Sequence, residues 1–213
     1  MSVPEPTAPV GPAARGRRSR VRTLGAGAAV LAALAVGHVV VTAFPVDDRV
    51  SAPFVRPTVV GETVELRYAR LTAGEPTGST VVSPDGATQL STPGVFLTVP
   101  LTIVATGQPR LISFAELLGG DGRTYTVFTS GRSSFLPGTA QPGVPRYATV
   151  SVELPPEAVP GAHLRIGLNQ EDQRADDLAV IDLGLTRADA DAWIADDTPV
   201  TVPSRSDDPP GQS

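Results

Sequence analysis

The chain has 213 residues, no cysteine and a formal net charge of −5 at pH 7. The missing cysteines exclude disulfides, thiol nucleophiles and thiolate metal sites. The acidic composition argues against a nucleic-acid partner, because phosphate binding needs clustered cations. The charge is unevenly distributed: residues 1–23 carry five Arg against one Glu (net +4), whereas residues 24–213 carry twelve Arg against twenty-one acids (net −9).

The N-terminal part predicts a cytoplasmic tail followed by a membrane anchor. Residues 1–23 are expected to be a disordered basic tail, since the first fourteen contain four prolines and no apolar periodicity. Residues 24–44 contain no charged residue and would extend about 31 Å as a helix, which matches the hydrocarbon thickness of a bilayer. Because arginine-rich flanks stay cytoplasmic, we expect a signal anchor in the cell membrane with the following domain outside. A cleaved signal peptide and a twin-arginine signal are the alternatives.

Small residues recur at every fourth position of this segment, at Gly25, Ala29, Ala33 and Gly37. Such a ridge allows two membrane helices to approach closely. It predicts a helix-packing face, and with it a homodimer as an alternative to a single copy.

Residues 45–195 alternate between apolar and polar side chains over short runs, which is typical of strands with one buried and one exposed face. The predicted strands are Val64–Tyr68, Thr80–Val82, Val95–Ile103, Leu111–Phe114, Tyr125–Thr129, Ala148–Leu154, Leu164–Leu168 and Leu178–Leu185. Turns rich in Pro and Gly separate them. This pattern predicts an all-β fold, an antiparallel immunoglobulin-like β-sandwich of seven or eight strands.

Three features depart from simple alternation. Pro100 cannot donate to a ladder, so its strand should bulge there or lie at a sheet edge. The segment Thr186–Ala195 contains good helix formers and predicts one short helix, with Trp193 folding back on the domain. Residues 196–213 are rich in Pro, Ser and Asp and are expected to be a disordered tail.

The segments Gly94–Thr102, Asp121–Tyr125 and Ser151–Leu168 resemble the immunoglobulin-like domains of small extracytoplasmic proteins of unknown function. These include secreted antigen-type sandwiches of high-GC Gram-positive bacteria, and the resemblance covers residues 59–185. It implies a membrane-anchored member of that family, which has no shared catalytic residues. One departure is Ala105-Thr106-Gly107, where the family usually has Asn before the turn glycine.

Candidate catalytic residues are few. His163 could serve Ser133 or Ser134 as a base, but the surrounding residues are not a nucleophile elbow, and a His just after a Pro-Gly turn is usually exposed or bonded to the backbone. Glu116 and Asp121 could form a carboxylate pair, although such acids are more often simply solvated. The sequence therefore predicts no enzyme, with a hydrolase as the least favoured reading.

The acidic run Glu171, Asp172, Asp176 and Asp177 could offer oxygens to calcium. Its spacing is not that of a calcium loop, and Arg174 adds a positive charge in its middle. We interpret it as a solvated loop, and predict no metal and no cofactor.

The preferred contact surface is the long Pro- and Gly-rich loop Ser133–Val144, because such loops carry the contacts of many binding modules. Its candidate contact residues are Arg132, Phe135, Leu136 and Arg146. The sequence thus predicts a non-enzymatic, membrane-anchored extracytoplasmic module that binds another envelope protein, as an accessory subunit of a cell-envelope complex. The alternative is a domain that binds a small ligand, a lipid or a cell-wall glycan.

Overall fold

The computed structural model describes residues 32–39, 52–127, 129–130, 133–134, 136–168 and 176–210. The chain divides into two compact units, Met1–Val50 and Ser51–Ser213. In the first unit, residues 32–39 are helical and exposed. Among the described residues, no helix is both long and apolar enough to cross a membrane. Most of the predicted anchor, residues 24–31 and 40–44, lies outside the described residues.

The second unit is built from short strands, fifteen within its described residues. In chain order they are β1 (Phe54–Val59), β2 (Thr63–Glu65), β3 (Ala69–Ala73), β4 (Thr77–Ser83), β5 (Leu90–Ala105), β6 (Arg110–Ile112), β7 (Phe114–Leu118), β8 (Thr124–Thr126), β9 (Thr129–Ser130), β10 (Ser133–Ser134), β11 (Gly138–Ala140), β12 (Arg146–Leu154), β13 (His163–Gly167), β14 (Asp177–Asp182) and β15 (Val200–Thr201). A 3₁₀ turn (Pro156–Ala158) follows β12, and a helix, α1 (Arg187–Ile194), follows β14.

Eleven of these strands form two sheets around one core, and the β-sandwich prediction is confirmed. The smaller sheet has the order β1-β14-β13-β7-β8. The larger has the order β15-β4-β5-β3-β2, with β12 on the other side of β5. Alternate side chains of both sheets meet in the core, among them Leu97, Val99, Val150, Leu117 and Leu164. This is the burial that period-2 patterning predicts.

The predicted strand number and strand direction are wrong. The two sheets contain eleven strands rather than seven or eight, and two of the pairings are parallel: β1 with β14, and β15 with β4. The two edge strands, β1 and β15, lack the alternation that is typical of a half-buried strand. β1 is largely exposed on both faces, and β15 has only two residues. The predicted strand Val64–Tyr68 is also divided, because the chain turns after Glu65 and Leu66 N donates to the Ala69 carbonyl at 2.8 Å.

Pro100 lies neither at an edge nor at a bulge, because β5 is the central strand of the larger sheet. Its carbonyl accepts from Gly74 N at 2.8 Å, at the connection between β3 and β4. The N and C=O of one residue point to the same side of a strand, so the missing N–H of Pro100 faces this connection. The proline therefore removes no backbone hydrogen bond between β5 and β12. The register shift in this part of the sheet falls instead between Ser79 and Val81.

The predicted short helix is confirmed as α1. Thr186 caps it: its hydroxyl accepts from Asp189 N, and the Asp189 carboxylate accepts from Thr186 N, which is a complete capping box. Trp193 packs directly on β4, where a Cβ on Gly78 would lie 2.3 Å from the indole ring. The glycine is therefore needed for this close approach.

The described part of the predicted C-terminal tail is ordered along the larger sheet, so that prediction is wrong for residues 196–210, which we call the C-terminal segment. Val200–Thr201 pair with β4, and Val202 is buried in the core. Ser206 and Tyr147 exchange backbone hydrogen bonds of 2.7 and 2.9 Å. The sequence did not predict this packing because Val202, the one buried residue described in the segment, lies among Pro and Ser residues.

Candidate interaction surfaces

The loop that the sequence favoured as a contact surface is partly tied to the domain. Leu136 is half-buried against the core, and its carbonyl accepts from the Arg205 guanidinium at 3.4 Å. The Arg146 side chain is largely buried, and its Nη1 donates to Asp207 at 2.9 Å. Arg132 and Phe135 lie outside the described residues. The structure thus brings Leu136 and Arg146 into the packing of the domain rather than onto an open apolar surface.

Two residues of the predicted helix-packing face, Ala33 and Gly37, lie in the exposed helical residues 32–39. A Cβ on Gly37 would meet no neighbouring atom within 4 Å. Gly25 and Ala29 lie outside the described residues. The dimer through this face stays a prediction.

Three of the candidate catalytic residues, His163, Glu116 and Asp121, make structural contacts. His163 Nδ1 lies 2.9 Å from the Gly161 carbonyl, which is the backbone-bonded arrangement that its position after a turn predicted. Glu116 forms an ion pair with Arg165 across the β7–β13 pair. Within the described residues, no group of three or more His, Asp or Glu is placed to hold a metal ion.

Asp121 closes the β7–β8 turn. It accepts from the Tyr125 hydroxyl at 2.7 Å and from Arg123 N at 3.0 Å. These two hydrogen bonds, the tyrosine's first, hold the pKa of Asp121 below its usual range. The Asp121 carboxylate therefore stabilises the turn.

The acidic run contains a buried anchor that the sequence did not reveal. Asp177 is only 2% exposed, although it was predicted to lie in a solvated loop. Its Oδ1 accepts from Arg56 Nε at 3.2 Å and its Oδ2 from Arg67 N at 2.7 Å. Its neighbour Asp176 accepts from the Arg67 guanidinium at 2.7 Å. One carboxylate therefore joins β1 to the turn between β2 and β3. Glu171 and Asp172 lie outside the described residues.

Tyr68 completes this cluster. Its hydroxyl donates to the Asp177 carbonyl at 2.9 Å within the core. Burial raises the pKa of Tyr68 well above its usual value, and the charges of Asp176 and Asp177 raise it further. The phenol therefore stays neutral, and the cluster is a structural support for β1.

The outer edge of β1 presents apolar side chains to solvent. Phe54, Val55 and Val59 are 54%, 56% and 45% exposed, and β1 is the end strand of its sheet. The Phe54 ring lies 5.7 Å from the Arg67 guanidinium carbon, within the range of a cation–π contact. We call these residues, with the β1 backbone that pairs with no other strand among the described residues, the β1 edge. The sequence signal for it was weak, because Pro57 and Arg56 interrupt the apolar run.

A cavity of about 470 Å³ lies between the larger sheet and the C-terminal segment. We call it the outer-sheet cavity. Residues of β4, β5 and β12 that point away from the core line its sheet side: Thr77, Thr98, Pro100, Thr102, Tyr147 and Thr149. The other side is lined by residues of the C-terminal segment: Val200, Thr201, Pro203, Ser204, Ser206, Asp208, Pro209 and Pro210. Gly74 and Glu75 add to the lining from the β3–β4 connection.

No protein-family model and no curated protein matches the chain. Solved structures to which it is similar include an uncharacterized β-sandwich protein from Clostridium difficile 630, with 14% identity and a TM-score of 0.41, covering 62% of this chain and 95% of that one. Another is the yjhA protein from Bacillus subtilis, with 15% identity and a TM-score of 0.45, covering 59% and 99%. A third is a conserved hypothetical protein from Bacillus anthracis, with 14% identity and a TM-score of 0.39, covering 56% and 94%. None of these names states an activity, and the fold class rests on the sheets of this chain itself.

Proposed function

We propose that this chain is a membrane-anchored extracytoplasmic protein-interaction module of the immunoglobulin-like type, which binds another cell-envelope protein through the β1 edge. Residues 1–23 stay in the cytoplasm and residues 24–44 cross the bilayer. The proposal for this topology is supported by the uncharged segment and by the arginines that precede it. The observation that carries the binding role is the exposed edge of β1, which pairs with no strand on that side in the part of the chain that the structure describes.

The backbone of β1 offers hydrogen bonds at this edge. Phe54 N donates to the Asp176 carbonyl at 2.8 Å and Val60 N to the Asp182 carbonyl at 3.3 Å, so the even-numbered residues face β14. Because backbone groups alternate between the two sides of a strand, the N–H and C=O groups of Val55 and Val59 and the C=O of Pro57 point to the free side. An extended segment of a partner can add to such an edge, with main-chain bonds giving affinity and side-chain contacts giving specificity.

Two features favour a different protein over a second copy of β1. Pro57 has no N–H to give at the free edge, which blocks long ladders, as proline commonly does on edge strands. The Val59 carbonyl already accepts from Glu62 N at 3.2 Å. If two copies of β1 paired antiparallel around Pro57, the two prolines would lie opposite each other. The pairing would also need the Val59 carbonyl, which already accepts from Glu62 N. A short extended segment from another chain can pair beside Val55 without either cost.

Asp177 presents the edge in a fixed register. Its bond to Arg56 and the parallel pairing of β1 with β14 hold the strand against the domain. Since a preorganised strand loses less conformational entropy when it binds, the edge is suited to a specific partner. In the proposed topology nine residues, 45–53, separate the anchor from β1, which favours a partner in the same membrane or at its surface.

Site-specific photo-cross-linking in intact cells tests the binding role. A photoreactive phenylalanine derivative at Val59 should give one discrete adduct with another protein, and the same probe at Leu111, an exposed apolar residue of β6, should not. Adding Val55→Pro removes an outward-facing N–H and should abolish the Val59 adduct. Adducts of equal strength from both positions, adducts with its own copy only, or none from Val59 would overturn the proposal.

The absence of cysteine from the chain allows a separate test of topology. We expect a single cysteine introduced at Leu111 to react with a membrane-impermeant maleimide in intact cells. A cysteine at Ser2 should react only after lysis. Labelling of the Ser2 variant in intact cells, or recovery of the protein without the membrane fraction, would refute the anchored topology and leave the β1 experiment interpretable.

A further inference from the structure

We infer that the outer-sheet cavity is a binding site for a neutral, hydroxyl-rich ligand, a short oligosaccharide. This goes beyond the proposed function, because the cavity uses different residues from the β1 edge. Its volume of about 470 Å³ lies within the range of small-molecule sites, roughly 300–1,000 Å³.

The first support is a hydroxyl of the cavity lining that has no partner among the described residues. Thr149 is only 8% exposed and lines the cavity, and its hydroxyl makes no hydrogen bond within the described part of the chain. Thr149 lies on the face of β12 opposite the core residues Ala148 and Val150. A hydroxyl can donate one hydrogen bond and accept two, so this capacity is open to a ligand in the cavity. A ligand with its own hydroxyl groups would satisfy it.

The neighbouring groups have the same chemistry. Thr98 lies beside Thr149 in the cavity lining, with its hydroxyl 3.3 Å from that of Ser151. Thr102, Tyr147 and Ser204 add further hydroxyls from both sides of the cavity. Side chains that both donate and accept match a ligand whose groups do the same.

Charge decides against an anionic ligand. Among the described residues that line the cavity, the ionisable carboxylates are Glu75 and Asp208, and none is an Arg or a His. A phosphate, sulfate or uronic acid would meet negative charge without a compensating cation, which is unfavourable even at partly exposed positions. The same carboxylates accept hydrogen bonds from neutral hydroxyls, and charge-assisted bonds of this kind are the stronger ones.

Flat apolar surfaces complete the match. Pro100 forms part of the sheet side of the cavity, Pro203 and Pro209 lie on the opposite side, and Tyr147 adds an aromatic ring. A pyranose ring has apolar C–H faces and a polar rim, so it can pack between such surfaces while its hydroxyls reach the threonines. A purely aliphatic ligand would leave the Thr149 hydroxyl unsatisfied.

Nuclear magnetic resonance titration of the full-length chain tests the inference. The probes are maltotriose, mannotriose and triacetylchitotriose, with trigalacturonate as the anionic control. We expect at least one neutral trisaccharide to shift the amide signals of Thr102, Thr149 and Ser204 in a saturable way, and trigalacturonate to leave them unchanged. Failure of all three neutral probes at millimolar concentration, equal binding of trigalacturonate, or shifts confined to other surfaces would overturn it.

Matched variants locate the site. Thr149→Val keeps the shape of the side chain and should weaken binding about fivefold through the lost hydrogen bond. Thr124→Val makes the same change at an exposed residue of β8 and should leave affinity unchanged. Ser204→Trp fills the cavity from its exposed side and should abolish binding while the other amide signals stay in place. Equal affinity of all three variants would show that the cavity is not the site.

Discussion

Both ends of the β-sandwich add a strand in parallel to a sheet edge, yet they are held in opposite ways. At the N-terminal end, β1 is fixed by a buried carboxylate, Asp177, and leaves Phe54, Val55 and Val59 in solvent. At the other end, the C-terminal segment is fixed by a buried apolar residue, Val202, and lies over a polar sheet face that includes Thr149. The N-terminal strand thus has a polar anchor and an apolar exposed surface, whereas the C-terminal segment has an apolar anchor and covers a polar surface.

The difference teaches what each end can do. A strand held by hydrogen bonds to one carboxylate can keep its apolar side chains free, which suits a protein partner. A segment held by one buried side chain and a few backbone bonds can bridge a polar face without filling the space below it. The position of the Asp177 anchor leaves the β1 edge exposed, and the position of the Val202 anchor leaves the outer-sheet cavity open.

The largest effect should come from removing the polar anchor. Asp177→Ala leaves Arg67 N without its acceptor and Arg56 without its partner, and we expect it to cost about 2–4 kcal/mol of unfolding free energy. Asp176→Ala removes a more exposed carboxylate and should cost about 1 kcal/mol. Urea unfolding of both variants measures the difference. Equal losses would mean that burial of Asp177 is not what holds β1.

Removing the apolar anchor should cost less. Val202→Ala deletes two buried methyl groups, and we expect a loss of about 2 kcal/mol in unfolding free energy. Val200→Ala, at a half-buried residue of the same segment, is the matched control and should cost about half as much. Thermal unfolding of the pair decides the point: if Val200→Ala is as harmful as Val202→Ala, the C-terminal segment has no single anchor.

The cap of α1 should contribute less again, because it acts on a helix that leads into the C-terminal segment. Thr186→Ala removes the hydroxyl that accepts from Asp189 N, and we expect a loss of about 1 kcal/mol. Thr186→Ser keeps the hydroxyl and should restore most of it. Chemical denaturation of the three proteins gives the comparison, and an unchanged midpoint for Thr186→Ala would show that packing of Trp193 alone fixes the helix.

The smallest effect should be a pH dependence at this cap. The side-chain and backbone donors of Thr186 hold the pKa of Asp189 below its usual range. The folded-state pKa is therefore below the unfolded value of about 3.9, so the contribution is complete above that pH and is lost as the pH falls through the folded-state pKa. Asp189→Asn should flatten the stability profile between about pH 2 and 4. An identical acid limb in both proteins would contradict this assignment.

The elements that the sequence predicted correctly are those whose pattern is local. β5, β12 and β13 alternate over five or more residues, and α1 carries its own capping box and helix formers. The turn around Asp121 likewise depends on neighbours within four positions. Each of these segments contains the information for its own conformation.

What the sequence did not reveal depends on distant residues. Asp177 is buried because Arg67 N and Arg56, more than a hundred positions earlier, meet its carboxylate. The cavity forms only when Thr149 and the C-terminal segment lie close together, and no short sequence motif predicts that proximity. Proline-rich composition concealed β15, and an exposed strand such as β1 lacks the burial that produces alternation.

The parallel pairing of β1 with β14 also sets an order of events during biosynthesis. Phe54 pairs with Asp177, 123 positions later, so the first strand of the domain waits for almost all of it to be made. At ribosomal speeds of about 5–20 residues per second, that wait is roughly 6–25 s. During this interval an apolar segment with unpaired backbone on both sides is exposed to aggregation.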